Sequence, residues 1–455
     1  MTNWTSSRIL IIGAARQGVA LARYLSARGA QVILNDARSA EALQAARASL
    51  ADLPIEWALG GHPLSLLDGV DQVCPSGGVP LDLPLVAEAR RRGIPLSNDS
   101  QIFLEASPCK TIGITGSAGK TTTTTLVGRM AQAVFPHCWV GGNIGNPLIT
   151  DVERMSPPDV AVMELSSFQL EVMSRSPQVA AVLNVTPNHL DRHGTMEAYT
   201  LAKKRILDFQ GPDDTAILGR DDPGAWALAD SVQGALVSFG LRQPPRGQVG
   251  TFLHGEQIAL WDGESARDLF PVRIIRLRGQ HNLSNVLAAC AIAHAAGISP
   301  DTMRFGVDGF SGVAHRLEFV RSWGGADWYN DSIATAPERT IAAIRSFDEP
   351  LVLLLGGRDK NLPWDDLAAL VRQRVKHAIL FGEAAGLIAD AIGGPGGCLH
   401  SLRHCENLEQ AVQSAAEIVE SGDVVLLSPG GTSFDAFRNF AERGEQYRKW
   451  VNQLS

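Results

Sequence analysis

The chain alternates short apolar runs with stretches whose apolar residues recur every three or four positions, almost from end to end. Runs at 8–12, 32–35, 111–115, 160–163, 180–183, 351–355, 378–381 and 424–427, with a shorter apolar pair at 328–329, have the length of buried strands. Between them the 3.6-residue period predicts helices through 20–28, over about 282–296, and starting at 338, 364 and 408. Strands alternating with helices argue for an α/β protein built on parallel sheets, not a sandwich or a bundle. Breaks near Ser107-Pro108 and near 310–312 divide the chain into three domains, 1–107, 108–312 and 313–455. The first is expected to be Rossmann-like, the second to hold a mainly parallel sheet, and the third to be a small doubly wound domain. No internal repeat, heptad array or low-complexity tract interrupts the pattern.

Composition narrows the class of partner. Of 455 residues, 45% are hydrophobic and 19% charged, and the net charge is -8 with no basic tail. Such a surface has little to offer a phosphate backbone or an anionic membrane, so small molecules are the expected partners and nucleic acid and membrane are not. No apolar stretch approaches the roughly 18 residues that span a bilayer. Residues 1–7 are polar and lead straight into the first strand, so no signal peptide is expected and the cytoplasm is the expected compartment. Cys74, Cys109, Cys138, Cys290, Cys398 and Cys405 are scattered without a CxxC pair and read as reduced thiols.

Strand 111–115 runs into Gly116-Ser117-Ala118-Gly119-Lys120-Thr121, followed by Thr122 and a helix. Glycines let backbone N–H groups approach a polyphosphate, Lys120 has the reach for β/γ oxygens, and the Thr121 hydroxyl suits Mg²⁺. The P-loop spacing GxxxxGK[ST] is broken by Ile114, which stands where the first Gly belongs, so an ordinary glycine-rich turn stays open on spacing alone. Strand 160–163 ends in Glu164, followed by Leu165-Ser166-Ser167-Phe168-Gln169, where a P-loop enzyme places a metal-binding carboxylate. The segment Asn184-Val185-Thr186-Pro187-Asn188-His189-Leu190-Asp191 gathers polar groups after the next strand. His189 there reads equally as a structural histidine, because hard Mg²⁺ prefers oxygen.

Taken in order, these segments resemble the Mur ligases. The resemblance extends to Gly279-Gln280-His281-Asn282-Leu283-Ser284-Asn285, His315-Arg316-Leu317-Glu318 and Asn330-Asp331-Ser332-Ile333-Ala334-Thr335. It covers essentially the whole chain and implies a UDP-sugar domain, a P-loop ATPase-type domain and an amino-acid domain. It also implies an ATP-dependent ligase of cytoplasmic peptidoglycan precursor synthesis that forms an amide through an acyl phosphate, with D-glutamate added to UDP-N-acetylmuramoyl-L-alanine.

The resemblance further implies residue roles. Gly116, Ser117, Ala118, Gly119, Lys120, Thr121 and Thr122 would hold the ATP phosphates, Asn282 and Asn285 the adenine, and Arg316 and Asp331 the nucleotide from the third domain. Thr121, Glu164, His189 and Lys203, the last as a carbamate, would hold two Mg²⁺ ions. Lys120, Asn143, His189 and Lys203 would surround the reacting groups. Ala14, Ala15, Arg16, Asp36, Arg38, Ser76, Gly77 and Gly78 would receive the UDP-sugar, and Thr335, Lys360, Ser433 and Phe440 the glutamate. A monomer is expected.

Four positions depart from expected patterns. Gly13-Ala14-Ala15-Arg16-Gln17-Gly18 lacks the middle glycine of GxGxxG, which weakens a dinucleotide reading, and Ser76-Gly77 stands for a usual Ser-Pro. Ala118 replaces a usual Asn, and Ile333 a common Lys, which removes a cation near the glutamate. A relative that adds L-glutamate or another amino acid, or a non-catalytic sensor of nucleotide and UDP-sugar, are the alternatives.

Overall fold

The computed structural model describes residues 3–455, apart from the side chain of Asp191. Residues 1 and 2 of the polar lead-in, and the Asp191 carboxylate of the 184–191 segment, lie outside the described part. Three sheets carry the fold. The first contains β1 (Arg8–Ile12), β2 (Gln31–Asp36), β3 (Ile55–Leu59) and β4 (Gln72–Pro75) in the order β3-β2-β1-β4, all parallel. Alternation along β1 assigns its faces. Leu10 and Ile12 join one apolar cluster, with Ile33 and Val73, while Ile9 and Ile11 join a larger one that continues to Met163 and Ala180 of the second sheet.

The second sheet contains β5 (Lys110–Thr115), β6 (Cys138–Gly142), β7 (Val160–Glu164), β8 (Val179–Val182), β9 (Thr215–Gly219), β10 (Ala235–Phe239), β11 (Val249–His254), β12 (Gln257–Trp261) and β13 (Ala266–Pro271). Their order is β13-β12-β11-β10-β9-β8-β5-β7-β6. Pairing is parallel from β6 to β11, and β11-β12-β13 form an antiparallel extension. The central sheet is therefore mainly parallel, as the sequence suggests, and the meander at its edge is the part the pattern did not signal. Strands such as Ala266–Pro271 are half polar and carry no buried run.

The third sheet contains β14 (Glu318–Trp323), β15 (Ala326–Asn330), β16 (Leu351–Gly356), β17 (Val375–Phe381), β18 (Ser401–His404) and β19 (Val424–Gly430), ordered β14-β15-β19-β16-β17-β18. All neighbours are parallel except the β14-β15 hairpin. Leu351, Leu353 and Leu355 face one apolar cluster and Val352 and Leu354 the other. Burial on both faces is why this strand reads as an unbroken apolar run.

The described residues form two compact units: 3–275 with His281–Gly309, which carries the first two sheets, and Arg276–Gln280 with Phe310–Ser455, which carries the third. Helix starts differ from the periodic expectation by a turn at most. The first helix is Arg16–Ser26 and the long central one Gln280–Ala295. The early start at Arg16 brings Gly18 against the Gly13 carbonyl, where a Cβ would lie 1.9 Å from that oxygen. A side chain cannot fit there, so Gly18 is fixed by packing.

Candidate active site

β5 lies between β7 and β8, so the C-terminal ends of these three neighbouring parallel strands open onto one crevice, the usual ligand position in such sheets. Each end delivers one of the motifs. Ile114 is buried in β5, paired with Ala181 on one side and Glu164 on the other, so the strand simply continues through it. The loop is thus shorter than a GxxxxGK loop and begins at Gly116. Gly119 has φ +81°, and a Cβ there would lie 2.2 Å from Asn285 Oδ1, so both backbone conformation and contact require glycine. The helix Lys120–Gln132 follows directly, and its N-terminal N–H groups favour an anion at the loop.

Asn184, at the end of β8, holds the loop through its backbone. Asn184 Oδ1 accepts from Ala118 N at 2.8 Å, its Nδ2 donates to Ala118 O at 3.2 Å, and its carbonyl accepts from Ser117 N at 3.0 Å. These bonds use only main-chain atoms of residue 118, so loop shape does not depend on which side chain stands there. The Ala118 departure therefore leaves the cradle intact. Tyr199 OH and Thr186 N both donate to Ser117 Oγ, at 3.1 and 2.9 Å, and Ser117 Oγ donates to Thr186 O at 2.9 Å.

Glu164 ends β7 and is buried. Thr121 Oγ1 donates to its Oε2 and Asn143 Nδ2 to its Oε1, both at 2.8 Å. Asn143 is brought there by the turn at Gly142 (φ +97°), after which Asn143 N donates to the Glu164 carbonyl at 2.9 Å. Lys120 Nζ donates to Gly116 O at 2.8 Å, and Lys203 Nζ donates to the same oxygen at 2.9 Å. Lys203, on the helix Met196–Lys204, is buried, with its amine 4.5 Å from the Tyr199 ring centroid. Burial, with a smaller push from the Lys120 charge, moves its pKa down to about 6. At neutral pH its amine is therefore largely unprotonated.

The rest of the Glu164–Gln169 motif positions its neighbours. Ser166 and Gln169 form a capping box that turns the chain out of β7. Gln169 Nε2 donates to Ser100 Oγ at 2.9 Å, and Asn98 Nδ2 donates to the Gln169 carbonyl at 2.8 Å, which ties the motif to the first sheet's domain. Phe168 stacks on His193 with ring centroids 5.1 Å apart and meets His189 edge-on at 5.2 Å. Ser167 Oγ lies 2.9 Å from His193 Nε2. His189 itself has φ +53°, an uncommon backbone for a non-glycine residue, at the start of the short helix Leu190–His193.

Among the described residues no three His, Cys, Asp or Glu side chains converge on a metal position. A hydroxyl and a carboxylate do meet, at Thr121 and Glu164, and these hard oxygens suit Mg²⁺. Lys203 as a cation would repel a metal. As a neutral amine, it could supply oxygens only after conversion to a carbamate.

The first sheet's candidate pocket is held by Asp36. Its Oδ2 accepts from Ala14 N and Arg38 Nη2, both at 2.8 Å, and its Oδ1 from Arg38 N and Nε, both at 2.9 Å. The Arg38 guanidinium holds this carboxyl well below the usual range. Asp36 thus fixes the turn that carries Ala14, Ala15 and Arg16, while Ser76 Oγ donates to Gly13 O at 3.1 Å and Gly77 N to Gln17 Oε1 at 3.4 Å. Gly78, next in that turn, has no atom within 4 Å of where a Cβ would stand.

In the second unit, His315 (φ +64°) and Leu317 (φ +41°) form a strained turn around Arg316. His315 N donates to Glu318 Oε2 at 2.8 Å, and Asn330 Nδ2 contacts His315 Nδ1 at 3.1 Å and Glu318 Oε2 at 3.0 Å. The His-Arg-x-Glu motif is therefore a built turn. A Cβ on Gly444 would lie 2.2 Å from His315 Nδ1. Gly444→Ala should cost about 1–3 kcal/mol of stability by overpacking, read as a lower denaturant midpoint. An unchanged midpoint would show that the turn has slack.

Asp331 is buried, with Ser428 Oγ donating to Oδ2 at 2.9 Å and Leu317 N to Oδ1 at 3.2 Å. Burial pushes its pKa up to about 7 against these bonds and the charges of Arg316 and Arg339. With the folded pKa above the unfolded one, the folded state holds the extra proton, and its contribution is lost as pH rises through about 7. The melting temperature of Asp331→Asn should therefore gain on that of the parent between pH 5 and pH 8. A constant gap across that range would contradict the raised value.

Thr335 and Lys360 meet, with Lys360 Nζ donating to Thr335 Oγ1 at 3.3 Å. Ser433 is buried in the loop after β19, and Phe440 opens the helix Phe440–Gln453. Sequence reasoning missed the residue that links the segments carrying Thr335, Ser433 and Phe440. Arg443 is buried, donating from Nε to Ser332 Oγ at 3.0 Å, from Nη2 to Ser332 O at 2.8 Å and from Nη1 to Gly431 O at 3.2 Å, while Ser332 Oγ donates to Phe440 O at 2.8 Å. Its only sequence signal is position, one helical turn after Phe440.

The chain matches three family descriptions: Mur ligase MurD-like, N-terminal domain, over 7–98; Mur ligase middle domain over 114–293; and Mur ligase, glutamate ligase domain, over 315–431. It is 42% identical to UDP-N-acetylmuramoylalanine--D-glutamate ligase of Symbiobacterium thermophilum over 448 residues, 98% of each chain. It is 39% identical to the protein of the same name from Pelotomaculum thermopropionicum, over 100% of this chain and 99% of that one. In fold it resembles the crystal structure of UDP-N-acetylmuramate-alanine ligase MurC from Thermotoga maritima, at TM-score 0.57 and 17% identity over 98% of this chain and 99% of that one. With identity of this order along its whole length and all three domain types in sequence, the chain belongs to the Mur ligase family, in the branch of the UDP-N-acetylmuramoylalanine--D-glutamate ligases.

Proposed function

We propose that the chain joins D-glutamate to UDP-N-acetylmuramoyl-L-alanine with conversion of ATP to ADP and phosphate. The observation that carries the chemistry is the crevice at β5, β7 and β8, where Lys120 and Lys203 converge on the Gly116 carbonyl while Thr121 and Asn143 hold both oxygens of Glu164. In the first step a carboxylate oxygen of the alanyl group attacks the γ-phosphorus, the bond to ADP breaks, and an acyl phosphate forms. In the second, the glutamate amine attacks the acyl carbon, phosphate leaves with the C–O electron pair, and the amine loses a proton. No side chain acts as a covalent nucleophile. The protein aligns the reactants and offsets the charge, through Lys120, the loop N–H groups and Asn143.

Mg²⁺ bound by Thr121 and Glu164, and a second ion bound by His189 and carbamylated Lys203, would neutralise the phosphoryl oxygens. Carbamate formation needs a neutral amine, whose nitrogen adds to CO₂ and releases a proton, and burial keeps Lys203 in that form near pH 7. The Ala14–Arg16 turn, Asp36, Arg38 and the 76–78 turn receive the UDP-sugar. Asn282 and Asn285, with Arg316 and Asp331, receive the nucleotide, and Thr335, Lys360, Ser433 and Phe440 the glutamate. The segments 1–107, 108–312 and 313–455 act as the three working domains. The enzyme acts as a monomer on small molecules, and its reaction belongs in the cytoplasm, where ATP and the UDP-linked precursor occur together.

The test is ADP release with Mg-ATP and UDP-N-acetylmuramoyl-L-alanine, comparing D- with L-glutamate and weighing the product by mass spectrometry. Dependence on D-glutamate is expected. Dependence on L-glutamate, the outcome that Ile333 keeps in view, would overturn the assigned stereochemistry.

A further inference from the structure

Arg339 follows Thr335 by four residues and has no assigned part. It lies in the first turn of the helix Pro337–Ile344, and its Nη1 donates to the carbonyl of Ile333 at 3.3 Å. That bond directs an exposed guanidinium back over the segment that carries Thr335. The loop that carries Lys360 is held at the neighbouring Asp359, whose Oδ1 accepts from Trp364 Nε1 at 3.0 Å and Oδ2 from Asn361 N at 2.8 Å. Neither Lys360 nor Arg339 forms an ion pair with a carboxylate within 4 Å among the described residues, although Glu338 is near enough for Lys360 to sense its charge. Arg339 is near enough to lower the pKa of Lys360, a smaller effect than burial. Like charges near one another cost free energy in the absence of a ligand, and a bound anion lowers that cost.

We infer that Arg339 is a second carboxylate-binding cation of the amino-acid pocket, sharing with Lys360 and Thr335 one carboxylate of the incoming glutamate. The inference rests on the proposed function. Its geometry favours a forked donor, because a guanidinium can keep the Ile333 carbonyl on one N–H while presenting others to a carboxylate. Ile333 serves here through its backbone oxygen, and the cation comes from the first turn of the following helix.

The test is a steady-state titration with D-glutamate at saturating Mg-ATP and UDP-N-acetylmuramoyl-L-alanine. Arg339→Gln should raise KM for D-glutamate about tenfold or more, the loss expected for one charge-assisted hydrogen bond. Its kcat and its KM for ATP should stay near the parent values, and Arg339→Lys should recover part of the loss. Ile333→Lys placed in Arg339→Gln should also recover affinity by returning a cation to the same segment. Because Arg339 is exposed, its variants should melt with the parent. An unchanged KM for D-glutamate, or equal rises for D-glutamate and ATP, would overturn the role of Arg339. A parent enzyme indifferent to D-glutamate would instead overturn the proposed function, and this inference with it.

Discussion

Lys203→Ala should lower kcat by about 10²–10³-fold or more, the scale set by loss of one preorganised electrostatic group. The side chain is buried, donates to the Gly116 carbonyl and is largely neutral at pH 7. Its burial has a measurable counterpart in stability. The unfolded chain protonates Lys203 up to its ordinary pKa, whereas the folded chain binds that proton only below about 6. Stability therefore rises with pH across the window between them, and near pH 7 the folded state still bears most of the penalty. Lys203→Met, which keeps the volume and removes the amine, should melt a few degrees higher than the parent in Mg²⁺-free, bicarbonate-free buffer at pH 7. The difference should shrink toward pH 10. Activity should move the opposite way and be lost. If the lysine works as a carbamate, acetate or formate should restore part of the activity of Lys203→Ala, because a small carboxylate can occupy the vacated space. Full activity of Lys203→Ala without additives would remove the residue from the mechanism.

Lys120→Ala should abolish formation of the acyl phosphate, with ADP release down about 10³-fold or more, as for loss of a charge aimed at a transferring phosphoryl group. Two consequences separate this from a folding defect. Lys120 bonds Gly116 O and Ser117 O, but the loop is also held by Asn184 and Ser117, so the variant should melt near the parent temperature. Removing the Lys120 charge should also let the Lys203 pKa rise, since that charge is one cause of its depression. Near-normal ADP release by a folded Lys120→Ala would sink the assignment of the 116–121 loop to phosphoryl transfer.

Much of the molecule was legible before any coordinates. The strands β1, β5, β7, β16 and β19, buried along nearly their whole length, announce themselves, because burial on both faces favours apolar runs. The glycine loop, Glu164 and the 184–189 segment are legible for a related reason. Chemistry collects at the C-terminal ends of parallel strands, so the motif residues directly follow apolar runs in sequence. Other elements carry weaker signals. Strands β11–β13, of which β13 is half polar, form part of the central sheet through backbone pairing, which side-chain periodicity hardly records.

The amino-acid sequence by itself determined the fold class, the order of the three sheets' domains, and the loop and carboxylate that face one another across β5 and β7. Tertiary structure decided the rest. It showed that Asn184 holds the loop at Ala118 through main-chain atoms, so that position tolerates alanine. It placed Lys203 in a buried site, against a carbonyl 87 residues away in the chain. It joined Arg443 to Ser332 and Gly431, and set Arg339 over Ile333. These contacts link residues distant in the chain, or a side chain to a main-chain atom. Hydrophobic periodicity encodes which face of an element is buried, and it carries no record of which hydrogen-bonding groups meet once those faces are packed.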